Sequence, residues 1–540
     1  MKLHIFISLF LFLISCSATE EESNNPFVAY SITSIELSRV DSTPLDNVQI
    51  DFKIEQSGVG VSGLTPTVSS TNSSATLTGV TDRGNGLYRA SLSATKTGEF
   101  PLTISIGDVS ETRTPLILKD VHSNWSQPMK VRGYVNTEGY EDGLTVTPNG
   151  EYLFVQTGPH YFMGVFAMTA SRTNSGCGGA TSRLTPTRCE HPWVNDLIGS
   201  YTAPERPGFF DGRFSGDKHL HNSNSYNVAV DAAPNFAMAT MFYGFKRQSD
   251  GSFKEPFYIA FDDQNDAIIN PFGMSFMDNG DGTTATMLFS FDDPSDPDMV
   301  DLAGDGSVMV QSYFDVYTTQ ITYGQNNNLG EFVPAGAAGA KPVRGSTFNS
   351  TLVNFGKTGL NGIAGTQGNP SIYFDENRVV KSIWTDDEFD SGGDHGELSV
   401  YVLTSGTFPN GTWQKVTLPT KINIADPSDE TQPYFTGSGL YFTRSGNANP
   451  EIWYSSYSGD HSVSGYGNAA NWGTPEKILS MDSTSELGRI VTIGEPTIAT
   501  YEGETYLYFI YGYNRSYDGD KPARTGLYDI DLQAGYIKLK

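Results

Sequence analysis

The chain is short of cysteine, of positive charge and of long apolar runs. Its 540 residues include three cysteines and 34 basic side chains against 61 acidic ones. So few cysteines exclude a disulfide-built scaffold and a multi-cysteine zinc framework. The formal charge of −27 repels phosphate backbones and anionic headgroups, so nucleic acid is not an expected partner. After the first sixteen residues no stretch approaches the roughly 18 to 20 apolar residues that a spanning helix needs. A Gly-x-Ser-x-Gly nucleophile elbow, a phosphate loop and a dinucleotide fingerprint are also missing, and those reaction classes lose support.

What is present starts at the N-terminus. Lys2 precedes an apolar run from Ile5 to Ile14, which ends in Leu13-Ile14-Ser15-Cys16. The run is too short to span a bilayer and reads as an export segment, with a simple secretory signal or uncleaved anchor as the alternative. Leu13-Ile14-Ser15-Cys16 resembles the lipobox of bacterial lipoproteins, which implies residues 1–16 as signal peptide and Cys16 as the acylated N-terminus. Residues 17–27 are polar and acidic, as a flexible tether is. Their glutamates resemble sorting signals of surface-exposed lipoproteins. The expected location is the bacterial cell envelope, lipid-anchored at the outer membrane, with either face open. Cys177 and Cys189 share a Gly/Ser/Thr-rich loop, where an oxidising compartment favours a disulfide worth about 3 kcal/mol. Free thiols are the alternative. A metal site with His191 lacks a second cysteine pair, and no metal is assigned.

Aromatics at 12% and 57 glycines, with many Asn, Asp, Ser and Thr, point to an all-β protein. Over residues 28–119 short alternating runs such as Val48-Gln49-Ile50-Asp51-Phe52-Lys53-Ile54 predict a small β-sandwich. Asp82-Arg83-Gly84-Asn85-Gly86-Leu87-Tyr88, followed by Gly98-Glu99-Phe100, resembles the closing strands of bacterial Ig-like domains of the invasin and filamin kind, which implies a spacer. Residues 120–540 carry weak repeats. Leu144 to Phe154, Pro370 to Val380, Pro433 to Phe442 and Pro496 to Phe509 each read as strand, tight turn, strand. They resemble the TolB-type propeller repeat, with Leu144 in place of the usual proline. Two further units fall around Tyr226 to Phe261 and Phe272 to Thr322. The expectation is an Ig-like sandwich followed by a propeller of about six blades, five to seven being admissible, closed by pairing of the C-terminal strand with residues near Met129 to Val135.

Propellers bind ligands where loops and inner-strand starts converge. The repeats place Glu141, Asp142, Asn369, Glu430, Gln432 and Glu495 at those starts. Asp142, Glu430 and Glu495 are therefore candidate acid, base or nucleophile groups of a glycosidase, since carboxylates across a sugar ring do that chemistry; strand capping is the alternative role. His219 and His221 fall on one side of a strand, with His160 and His191 in preceding loops. Together with Tyr226 and Arg213 they offer lyase-type proton transfer, or a surface pair. Tyr161 and Trp413, with Gln432 and Asn369, are candidate ligand contacts, and Trp384 and Trp453 are candidate funnel aromatics. No cofactor is required. Acidic turns at Asp278 to Gly282, Asp292 to Asp298 and Asp386 to Asp390 resemble loose calcium loops, so a structural calcium stays open. The leading reading is a lipid-anchored envelope protein whose propeller recognises a glycan or protein. Alternatives are a glycosidase or polysaccharide lyase, and a structural scaffold.

Overall fold

The computed structural model describes residues 29–39, 48–136, 140–158, 241–262, 272–291, 300–301, 309–310, 314–333, 343–344, 348–355, 367–386, 396–424, 428–445, 449–481, 488–514 and 530–540. Cys16, Tyr161, Cys177, Cys189, His219, His221 and Tyr226 lie outside them. Among the described residues no helix is long and apolar enough to cross a membrane.

The N-terminal part is the expected sandwich. One sheet runs Tyr30–Arg39, Val48–Gln56, Leu87–Ala94, Ala75–Leu77, and the other runs Val109–Arg113, Leu102–Ile106, Thr67–Ser70. Alternation in Val48–Gln56 buries Val48, Ile50, Phe52 and Ile54 and leaves the intervening polar side chains at the surface, the period-two pattern of a half-buried strand. Phe52 pairs with Tyr88 across the strands, their rings stacked at 5.7 Å. Asn85 and Gly86, at φ 52° and 78°, make a tight turn of the type that requires positive φ at both positions.

Five propeller sheets follow among the described residues. The first four strands of blade I are Tyr140–Val146, Tyr152–Gly158, Met241–Arg247 and Phe253–Asp262; blade II has Phe272–Asp278, Thr284–Phe291, Asp315–Thr322 and Thr351–Leu352. Blade III has Gly368–Phe374, Val380–Asp386, Leu398–Ser405 and Thr412–Val416; blade IV has Asp429–Phe435, Gly439–Ser445, Glu451–Ser456 and Glu476–Ser480. Blade V combines Arg489–Tyr501, Glu504–Asn514 and Ile530–Lys538 with Met129–Lys130 from the other end of the chain. The five inner strands neighbour one another in sequence order, and that of blade V returns to that of blade I. The ring therefore closes at five blades, the lower edge of the expected range. The unit assigned around Tyr226 to Phe261 is not a blade of its own, because Met241–Arg247 pairs with Tyr152–Gly158 and completes blade I.

Each seam between blades has its own apolar core. Phe154, Phe276 and Phe289 fill the seam of blades I and II, Leu288, Ile383 and Tyr401 that of II and III, and Trp384, Phe435 and Phe442 that of III and IV. Strands with a blade packed on either face are buried on both, as Thr284–Phe291 is from Ala285 onward. This explains why such strands read as continuous apolar runs rather than as alternation. Trp413, a candidate sugar contact, belongs to one of these cores. It is 6% exposed, lies 5.5 Å from the Phe355 ring and donates from Nε1 to the Pro409 carbonyl at 3.3 Å. Trp384 is likewise fully buried, because an indole supplies the bulk that fills a wedge-shaped seam.

Candidate functional site

The five inner strands share one irregularity. In each, the pairing with the second strand slips at the same point: between Asp142 and Thr145, Phe272 and Met274, Gly368 and Ser371, Thr431 and Tyr434, and Gly494 and Thr497. The bulged residue has positive φ every time: Gly143 at 56°, Gly273 at 47°, Asn369 at 41°, Gln432 at 54° and Glu495 at 54°. A left-handed conformation costs a non-glycine residue about 1–2 kcal/mol, so three of the five blades hold strain that something nearby offsets.

The offset is a relay of hydrogen bonds around the ring. The Leu144 N–H donates to Glu495 Oε2 at 2.8 Å, and the Glu495 N–H donates to Gln432 Oε1 at 2.9 Å. The Gln432 N–H donates to Asp386 Oδ2 at 2.6 Å, which also accepts from Asn369 Nδ2 at 3.0 Å. Blades I, V, IV and III are thus joined through the side chains of two bulged residues, Glu495 and Gln432, and of Asp386 at the end of a second strand. Glycine at the blade II position has a steric reason as well: a Cβ on Gly273 would lie 2.7 Å from Asn369 Cα.

A second ring lies two residues further along. Each bulge is followed by Leu, Met or Pro and then a hydroxyl residue: Thr145, Ser275, Ser371, Tyr434 and Thr497. Ser275 Oγ accepts from the Ile372 N–H at 3.1 Å, Ser371 Oγ from the Phe435 N–H at 3.3 Å, and Thr497 Oγ1 from the Val146 N–H at 3.5 Å. Tyr434 donates to the Ile498 carbonyl at 3.0 Å, and burial pushes its phenol up to about 12. Nine of these ten positions, all but Thr497, line the central channel, which holds a cavity of about 30 Å³. One water needs about 10–15 Å³, so this cavity has room for water.

Asn369, Gln432 and Glu495 therefore line the channel as the repeat alignment places them, and Asp142 sits half-buried one residue before the blade I bulge. Glu430 does not face the channel. It is fully buried and accepts from Arg444 Nε at 2.7 Å, Ser428 Oγ at 3.0 Å and the Ile424 N–H at 3.1 Å. Burial raises its carboxyl and lowers the Arg444 guanidinium, each opposed by attraction to the other. Glu141 is also fully buried, beside Gln533 Nε2 at 3.5 Å. Trp453 stacks on Arg444, its ring centroid 4.9 Å from the guanidinium carbon.

The sequence reading overlooked a cluster at the seam of blades III and IV. His461 Nε2 lies 2.9 Å from Tyr373 OH and Nδ1 3.1 Å from Tyr466 OH, and Tyr466 OH lies 3.0 Å from Ser382 Oγ. Burial lowers the imidazole below its ordinary value, Asp460 opposing and Lys381 adding to the effect. A lone histidine between repeats carries no periodic signal, whereas the bulge triplets do: Gly143-Leu-Thr145, Gly273-Met-Ser275, Asn369-Pro-Ser371, Gln432-Pro-Tyr434 and Glu495-Pro-Thr497.

Among the described residues no three His, Cys, Asp or Glu side chains gather as metal ligands. In the acidic turn of blade II, Asp278 Oδ1 accepts from the Gly280 N–H at 2.7 Å. Asp281 accepts from Thr284 Oγ1 at 2.6 Å and from the N–H groups of Thr283 and Thr284 at 2.7 Å. Those bonds hold Asp281 well below the usual carboxylate range, so its carboxylate serves the turn.

No family model and no curated protein matches the chain. Among solved structures it is similar to the β-propeller domain of the Trilobed protease from Pyrococcus furiosus, described as having an open velcro topology, at 9% identity and a TM-score of 0.23, over 92% of this chain and 99% of that one. It is also similar to an acylaminoacyl peptidase in complex with Z-Gly-Gly-Phe-chloromethyl ketone, at 10% identity and a TM-score of 0.22, over 94% of this chain and 52% of that one. The five-bladed ring rests on the strand pairing and inner-strand order above.

Proposed function

We propose that this is a recognition protein of the bacterial envelope, held by lipid on Cys16, in which the Ig-like sandwich presents the propeller to a glycan or protein partner. The observation that carries the reading is the commitment of the channel's polar groups to the ring itself. Glu495, Gln432 and Asp386 each accept a backbone N–H from the next blade, Asn369 donates to Asp386 within blade III, and Glu430, away from the channel, is paired with Arg444. A carboxylate held by a backbone N–H or a guanidinium has lost the reach that proton transfer to a bound sugar requires. What such a ring provides is a stiff platform, and stiffness lowers the ordering cost of binding.

The test is a panel of envelope polysaccharides and envelope proteins, probed with the detergent-solubilised chain for binding and for released reducing or unsaturated ends. Binding without release is expected. Release that disappears in Glu495→Gln or His219→Ala would replace this reading with a carbohydrate-active enzyme.

A further inference from the structure

The passage from sandwich to propeller is a continuous hydrogen-bonded ladder. Gly98 and Glu99 of the sandwich pair with Ile117 and Leu116. The Leu116 N–H donates to the Pro128 carbonyl and the Lys130 N–H to the Thr114 carbonyl, both at 2.9 Å. Met129 and Lys130 then pair with Tyr536 and Gly535 of blade V. The short strand Met129–Lys130 therefore has both edges occupied, one by the propeller and one by the chain leaving the sandwich.

Side chains lock the same place. Glu99 is 9% exposed, and its Oε1 accepts from Lys130 Nζ at 3.0 Å and from Tyr511 OH at 2.6 Å, while its backbone carbonyl accepts from Asn72 Nδ2 at 2.6 Å. A sandwich loop, the closing strand and the second strand of blade V thus meet on one residue. Leu116, Leu118 and Trp125 pack beneath it against Phe509, Tyr511 and Ile537. Further along, Asn136 bonds the Val131 and Ala534 carbonyls at 2.9 and 3.1 Å and accepts from the Ala534 N–H at 2.6 Å.

We infer that the Ig-like sandwich is the clasp of the propeller: the ring's closing strand stays in place because the sandwich covers its outer edge. A strand of two residues offers few ladder bonds, and an uncovered edge strand frays. Loosening the sandwich therefore loosens the closure of blade V, and load applied to the N-terminus reaches the ring. This holds whatever the propeller binds.

Native-state hydrogen exchange on the full chain tests it. Phe52 is fully buried in the sandwich core and touches none of the propeller cores. In Phe52→Ala, amide exchange at Val131 and across residues 534–538 should accelerate at least tenfold, with Val380–Asp386 of blade III unchanged. Acceleration confined to the sandwich would overturn the inference. Should Phe52→Ala not fold, Glu99→Ala removes the lock and leaves both cores filled. It should accelerate the same closing amides while Val48–Gln56 keeps its protection, and unchanged closing amides would refute the clasp.

Discussion

Glu430 and Arg444 meet at 2.7 Å across two paired strands of blade IV, the carboxylate fully buried and the arginine 8% exposed. Arg444 also donates to the Ile422 carbonyl at 2.8 Å, so the pair fastens the connection that enters the blade onto its first two strands. Removing one partner of such a pair leaves a buried charge unmatched. Arg444→Met is expected to cost about 3–5 kcal/mol, read as a lowered urea midpoint. Replacing both residues with apolar ones of similar size should recover much of the loss, and a double variant as weak as the single would show that the pair matters for more than charge.

Glu495 closes the seam between the last blade and the first. Glu495→Ala leaves the Leu144 N–H without its acceptor, a loss of roughly 1–3 kcal/mol, whereas Glu495→Gln keeps an oxygen in place and should lie near the unmodified protein. Equal melting temperatures for the two variants would remove the hydrogen bond from the account.

His461 sets a pH dependence. Its pKa is lowered by burial, so the native state refuses a proton that the unfolded chain accepts below about 6.5. The unfolded state then binds more protons, and stability falls as the pH drops from about 6.5 toward the lowered native value, and levels off below it. Urea midpoints between pH 7.5 and 5 should decline more steeply in the unmodified chain than in His461→Gln. Parallel declines would remove His461 from the account, because carboxylates such as Asp250, which hydrogen bonds from Ser252 hold below the ordinary range, lose their contribution only at lower pH.

Trp413→Ala should behave as a core truncation, costing about 3–5 kcal/mol. Once a glycan or protein ligand is identified, its affinity for folded Trp413→Ala is expected to be unchanged. A tenfold weaker Kd measured by calorimetry below the melting transition would restore Trp413 to a binding role.

Much of the ring was legible in the residues. Asn369, Gln432 and Glu495 stood out because each precedes the proline of its repeat, and the structure places that proline inside the inner strand, where its missing N–H falls at the break in register. The blade II equivalent, Gly273-Met-Ser275, was missed because neither glycine nor methionine resembles the polar residue and proline found in blades III to V. Glu430 was misjudged because it lies before the bulge that aims Gln432 into the channel, and its partner Arg444, which holds it in the interior, comes from the neighbouring strand.

Composition, alternation and turn residues, all local properties, determine that the chain is β throughout and that a sandwich precedes repeats. The closing pairing of the C-terminal strand with Met129–Lys130 is as expected; the number of blades and the fate of each carboxylate were decided by tertiary structure. Tyr152–Gly158 pairs with Met241–Arg247 across residues 159–240, and Glu99 finds Tyr511 at a separation of 412 residues. Pairings of that range are selected by burial and hydrogen bonding in the closed ring, and no window along the sequence contains both partners.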